Sequence, residues 1–143
     1  GLGMKLTTLH SLTLVSLFVS AQAFSAVHVV VHKSNGDEFD KQSISRIFLG
    51  KAKSFPSGAS AIPINQSENM EVTTLFNREV LNKSNSQLKA YWSKLVFTGK
   101  GTPPQAVSND NEVIELVKNN PNFIGFISDT SVIDNVKIIA TFP

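Results

Sequence analysis

The chain predicts an α/β layered sandwich, with a central mixed sheet flanked by helices. Two observations carry that reading. β-branched runs near both ends of the chain, Val27 to His32 and Val136 to Thr141, have the composition of strands. Between them, apolar residues recur at helical spacing in several separate segments, each bounded by cap or turn residues. Strands that alternate with amphipathic helices argue for helices covering a mostly buried sheet.

Taken in order, Val27 to His32 runs into Ser34-Asn35-Gly36, a turn signal. A short helix follows with Asp40 as its N-cap. Phe39 and Ile44 stand at staple positions, Ile44, Ile47 and Phe48 form the buried stripe, and Gly50 supplies a left-handed residue past the end. Ser54 to Gly58 is a turn-rich connection, and Ala59 to Asn65 reads as a strand that tolerates Pro63 near its end. From about Asn69 a second helix places Val72, Leu75, Phe76 and Val80 on one face. A third begins at Ser84, with Gln87 completing a capping box, and is expected to bury Leu88, Tyr91, Trp92, Leu95 and Val96. Thr98 to Ser108, with its Pro103-Pro104 pair, reads as a loop. Asn109 and Glu112 then cap a fourth helix carrying Val113, Ile114, Leu116 and Val117, which Asn120-Pro121 stops. Phe123 to Ser128 and Val136 to Thr141 close the fold as strands.

Ahead of this domain, Met4 to Ala23 reads as a cleavable secretory signal peptide. Met4-Lys5 is its charged start, Leu12 to Val19 its apolar run, and Ala21-Gln22-Ala23 a small-x-small cleavage site, with Ala26 the alternative end. Ser11, Thr13, Ser16 and Ser20 interrupt the run, which therefore falls short of the roughly 20 apolar residues of a membrane span. Gly1-Leu2-Gly3 precede the natural start residue and are set aside as a cloning or gene-prediction scar. Residues 24–143 are expected to form one domain, working in the periplasm.

The whole chain has a formal net charge of +2, and removal of the leader, with Lys5 and no acid, leaves +1. That balance gives no electrostatic case for nucleic acid or an anionic membrane. With no cysteine, disulfides, thiol catalysis, Cys-ligated metals and a lipidated N-terminal Cys are excluded.

Few groups suggest chemistry. Gly99-Lys100-Gly101-Thr102 has the look of a phosphate loop, but Lys94 occupies the position of the required earlier glycine, a helix precedes it and Pro103-Pro104 follow. His28 and His32 share a strand face about 13 Å apart, too far for a joint metal site. Asp37, Glu38 and Asp40 are explained by solvation and capping. No catalytic residue, metal or cofactor is expected, and no enzyme.

Anion capture by helix N-termini is the remaining physical possibility, since unpaired N–H groups and the positive dipole end both favour negative charge there. Three loops qualify: Ser34 and Asn35 after the first strand, Asn65, Gln66 and Ser67 after the second, and Ser108 and Asn109 before the fourth helix. Each alone also reads as a turn or cap. Their convergence is what matters.

Ile47-Phe48-Leu49-Gly50-Lys51, Ile62-Pro63-Ile64-Asn65-Gln66-Ser67 ahead of a helix containing Phe76, and Val117 through Pro121 leading to Ile124-Gly125-Phe126 carry a resemblance. So do Tyr91-Trp92 and Phe97-Thr98-Gly99-Lys100-Gly101. In this order they resemble the phosphate-binding components of phosphate ABC transporters, within the type 2 periplasmic binding-protein fold. The resemblance implies one lobe of that fold and a periplasmic binder of phosphate or a related oxyanion, with Ser67 and its neighbours as the phosphate loop. It implies as partners a membrane transporter or other envelope protein, and a homodimer that completes the cleft. The alternative is an envelope interaction module that kept the fold and lost the ligand. Where the family's loop offers an Arg and a Ser-Gly-Thr run, this chain has Ser67-Glu68-Asn69, and its arginines, Arg46 and Arg78, lie within helices.

Overall fold

The first strand, β1 (Val27–His32), is buried along most of its length. Such a run needs cover on both faces, and the helices on the two sides of the sheet provide it. A computed structural model describes Gly3 and residues 26–143. The signal-peptide reading of Met4–Ala23 lies outside the described residues. Among the described residues no helix is long and apolar enough to cross a membrane.

After β1 come α1 (Lys41–Phe48), β2 (Ile62–Gln66), α2 (Glu71–Glu79), α3 (Asn85–Phe97), β3 (Gln105–Val107), α4 (Asp110–Asn119), β4 (Phe123–Ile127) and β5 (Val136–Phe142), with a 3₁₀ turn at Thr130–Val132 before the last strand. The five strands form one mixed sheet in the order β3-β2-β4-β1-β5. β2 runs parallel to both β3 and β4, whereas β1 runs antiparallel to β4 and β5. This is the layered α/β sandwich expected from the pattern.

Local chemistry sets the helix starts. The Asp40 carboxylate accepts the Ser43 N–H at 2.7 Å while the Ser43 hydroxyl lies 3.0 Å from the Asp40 N–H, a reciprocal cap. Ser84 and Gln87 form the same arrangement at α3. Gly50 ends α1 at φ +73°, and a Cβ there would come within 3.3 Å of the Trp92 ring, so both conformation and space favour glycine.

Two cores flank the sheet. On one face Phe48, Phe76 and Phe126 meet, with Phe76 and Phe126 stacked at 4.1 Å between ring centroids. The other face packs Val30, Ile64 and Ile127 beneath Val113, Ile114 and Val117 of α4. Gly125 lets α4 approach, because a Cβ there would fall 2.6 Å from Val113 Cγ1. Pro63 is tolerated because the Ile62 N–H already points to β4, bonding Asn122 O. Alternation along the strand turns the donorless Pro63 nitrogen the other way, where pairing to β3 begins only at Ile64.

Two expectations are corrected. The loop expected over Thr98 to Ser108 contains β3, a three-residue edge strand whose pairing with β2 decides its conformation. The α3 stripe is buried only in part. Leu88 and Trp92 are covered, but Val96 is exposed and Phe97 is 93% exposed, because the last turn of α3 overhangs the packed face.

Candidate functional site

Strand direction sorts the three candidate loops. Gln66 of β2 pairs with Val107 of β3, so Asn65-Gln66-Ser67 and Ser108-Asn109 emerge side by side at one end of the sheet. β1 runs the other way: Val31, near its end, pairs with Ile124, near the start of β4. Ser34 and Asn35 therefore lie at the opposite end. There they form a local turn, with Ser34 Oγ 2.7 Å from His32 Nδ1 and the Asn35 side chain accepting the Asp37 N–H at 2.9 Å. Two of the three loops converge; the first does not.

The α4 loop is closed by its own side chains. Glu112 accepts the Ser108 N–H at 2.6 Å, and Asn109 Oδ1 accepts the Glu112 N–H at 3.0 Å. Behind them the Asp110 carboxylate accepts from Gln66 Nε2 at 2.7 Å, Ser128 N–H at 3.1 Å, Ser128 Oγ at 2.9 Å and Asp129 N–H at 2.9 Å. Asp110 thus ties the ends of β2 and β4 to the first turn of α4. Next to it, hydrogen bonds from the Ser131 side chain and backbone hold the Asp129 carboxyl below the usual carboxylate range. With two carboxylates in its first turn, the start of α4 already holds negative charge, so Ser108 and Asn109 act there as cap and neighbour.

The α2 loop differs in its cap, although Glu71 places one carboxylate in its first turn. Met70 occupies the N-cap position and provides no side-chain cap. The Glu71 and Val72 N–H groups, among the orphan donors of a first helical turn, have no protein acceptor among the described residues. Ser67 donates its N–H to Val107 O at 2.8 Å, and its carbonyl accepts from Thr73 Oγ1 at 2.8 Å and from Met70 N–H at 3.0 Å. These bonds fix the loop and leave the Ser67 hydroxyl. No arginine lies in it, since Arg78 is in the last turn of α2, paired with Glu79. Gln66, only 1% exposed, also donates to Phe126 O at 2.9 Å and so serves as a structural tie.

Beside this loop opens a cavity of about 670 Å³. Asn65, Gln66 and Glu68 line one side, Thr73 and Asn77 of α2 the floor, and Leu88, Trp92 and Val96 of α3 the apolar wall, with Pro103 to Ala106 opposite. Sequence reasoning missed Asn77, a polar residue buried on α2. The signal was present: Thr73, Phe76, Asn77 and Val80 share one helical face. Among the described residues no group of three or more His, Asp or Glu side chains is placed to hold a metal ion. His28 Nδ1 instead lies 2.9 Å from Thr141 Oγ1.

No protein-family model matches the chain. No curated protein sequence matches it either. Solved structures do. A phosphate ABC transporter substrate-binding protein of Clostridium perfringens, solved with bound phosphate, superposes with a TM-score of 0.62 at 19% identity, over 80% of this chain and 44% of the other. An ABC-type phosphate transport receptor of Vibrio cholerae gives 0.62 at 16% identity, over 80% and 45%. PstS of Borrelia burgdorferi gives 0.54 at 16%, over 71% and 40%. The architecture is therefore that of a solute-binding-protein lobe. More particularly, it is the fold found in phosphate-transport binding proteins, and the chain spans less than half the length of each.

Proposed function

We propose that this chain is a solute-binding lobe that takes phosphate or a similar oxyanion in the loop between β2 and α2. The observation that carries the reading is the uncapped start of α2. Its free N–H groups open the helix to which the Ser67 carbonyl is tied through Met70 N–H and Thr73 Oγ1, and a helix N-terminus of this kind favours an anion through both hydrogen bonds and dipole. The fold shared with a protein solved with phosphate adds support. The site is one-sided, and Glu68 in the loop and Glu71 in the first turn of α2 oppose an anion, so a second wall is part of the reading: another copy of the chain, or an envelope protein such as a transporter, covers the loop. The leader Met4–Ala23 would deliver the lobe to the periplasm.

Calorimetric titration with phosphate, with sulfate as the control, tests this. Saturable heat and a raised melting temperature are expected, because a ligand at about 100 times its Kd adds about 2.7 kcal/mol of stability. Ser67→Ala should weaken both. No heat and unchanged melting in millimolar phosphate would remove the oxyanion from the reading. The alternative, an interaction module without a ligand, is favoured by the 93% exposed Phe97 at the end of α3. It predicts that Phe97→Ser abolishes a specific complex with an envelope protein while phosphate has no effect.

A further inference from the structure

We propose that the cavity between α1 and the turn that follows α2 is an anion site separate from the α2 loop. Its ligand is a phosphate compound carrying two or more negative charges, free in solution or borne on a lipid headgroup. This goes beyond the oxyanion reading of Ser67 and does not rest on it.

The charge is set by the sequence. From Lys41 to Ser67 there are four cations, Lys41, Arg46, Lys51 and Lys53, and no carboxylate, a run that the whole-chain charge of +2 conceals. Folding gathers three of the four. Lys41, Arg46 and Lys51 line one cavity of about 400 Å³, and no Asp or Glu lines it. Lys41, Ser45 and Leu49 follow one another at four-residue spacing along α1 and its C-cap, with Gln42 and Arg46 in the adjacent row. Gly50, at φ +73°, then turns the chain back, and the Lys51 and Ala52 N–H groups both bond Arg46 O, at 2.8 and 3.0 Å. Lys51 is thereby tied to the turn that carries Arg46. Leu49 and Val80, both buried, supply the apolar part of the lining, and Asn82 brings a further polar side chain from the turn after α2.

Ordinary structural roles do not account for this cluster. The ion pairs among the described residues are Arg78–Glu79, Lys118–Glu115 and Lys118–Asp134, so the three cations have no carboxylate partner there. Of the acids just before α1, Asp37 accepts from Ser57 Oγ at 2.9 Å and Asp40 from Ser43 N–H at 2.7 Å, and Glu38 is exposed outside the lining. The helix dipole favours Arg46 in the last turn of α1 but opposes Lys41 in the first. Nor do the last carbonyls need a cation, since Ser45 O, Arg46 O and Ile47 O accept from the Leu49, Lys51 and Gly50 N–H groups. Like charges gathered around a concave surface raise the local potential, and an anion relieves it. A phosphate group fits this set better than a carboxylate. It concentrates charge on one centre and turns acceptor oxygens in several directions, toward an Arg fork and the point charges of two lysines.

The cavity lies past the C-terminal end of α2, whereas Ser67 precedes its N-terminus, and nine residues of helix, about 13 Å, stand between them.

Calorimetric titration of the protein with pyrophosphate at fixed ionic strength tests the site, with acetate as the singly charged control. Saturable binding with a Kd below about 1 mM is expected for pyrophosphate and none for acetate. Arg46→Gln should weaken it about tenfold, or about 1.4 kcal/mol, and Arg46→Lys, which keeps the charge and loses the fork, by less. Lys53→Gln removes the same charge outside the cavity and should change Kd by less than about twofold, because salt screens a distant exposed charge. Arg46 and Lys53 are exposed, so these variants keep the fold. Vesicles containing phosphatidic acid separate the two sources. Co-sedimentation that Arg46→Gln abolishes, without binding of free pyrophosphate, assigns the site to a lipid headgroup. Equal weakening by Arg46→Gln and Lys53→Gln would reduce the site to a diffuse field and overturn it. So would binding that Ser67→Ala removes and Arg46→Gln leaves intact, or no binding from either source. Ser67→Ala reports on the α2 loop and Arg46→Gln on this cavity, so each reading fails on its own.

Discussion

Asp110→Ala should be among the most damaging single changes at the cleft end of the sheet. The carboxylate accepts four hydrogen bonds, from Gln66, Ser128 twice and Asp129. A hydrogen bond to a charged group contributes about 1.5–3 kcal/mol, but four of them do not add in full. Ser128 and Asp129 are exposed, so water replaces their bonds, and Gln66 Nε2 keeps Phe126 O. To this the favourable position of the charge at the α4 N-terminus adds about 0.3–1 kcal/mol. The expected loss is about 2–4 kcal/mol, a large part of the roughly 5–15 kcal/mol that holds a domain together. With a urea slope of about 1–3 kcal/mol/M, the unfolding midpoint followed by Trp92 fluorescence should fall by about 1–2 M. Amide exchange should accelerate at Ser128 and Asp129, localising the effect. A loss below about 0.5 kcal/mol, the range of an ordinary surface substitution, would refute the role given to Asp110.

Two further outcomes follow from the fold. Hydrogen bonds from the Ser43 backbone, then its side chain, lower the Asp40 pKa from 3.8, so its contribution is present above that value and is lost as pH falls through the lower folded pKa. Asp40→Asn keeps an acceptor at the cap but does not titrate, and should flatten the acid side of a stability profile measured from about pH 5 down to pH 2; identical slopes would contradict this. Gly125→Ala places a methyl 2.6 Å from Val113 Cγ1 and should cost about 1–3 kcal/mol in urea unfolding, partly recovered by adding Val113→Ala. Independent, additive losses from the two changes would mean that the close approach of α4 is not what requires glycine.

The elements themselves were legible in local chemistry. Asp40 with Ser43, Ser84 with Gln87, and Asn109 ahead of Glu112 all start helices where the sequence pattern places them. Capping involves residues a few positions apart and needs no distant partner. The β3 segment was not legible, because a three-residue edge strand after two prolines is extended by pairing with β2, a contact between distant parts of the chain. Val96 satisfied a helical stripe, but a stripe does not say how far the opposing surface reaches.

The candidate site shows the same division. Sequence alone determined which residues have the right polar chemistry at strand ends and helix starts, and that the chain is a layered α/β domain. Only the tertiary structure decided which of those ends share a side of the sheet. Because β1 runs antiparallel to β4, Ser34 and Asn35 were carried away from Ser67 and Ser108. It also decided that α4 meets its own carboxylates while α2 stays uncapped, and that Gln66 and Asn77 each bury an oxygen beside the same cavity. Strand direction and the partners of a buried atom are relations between distant segments, and no local pattern encodes them.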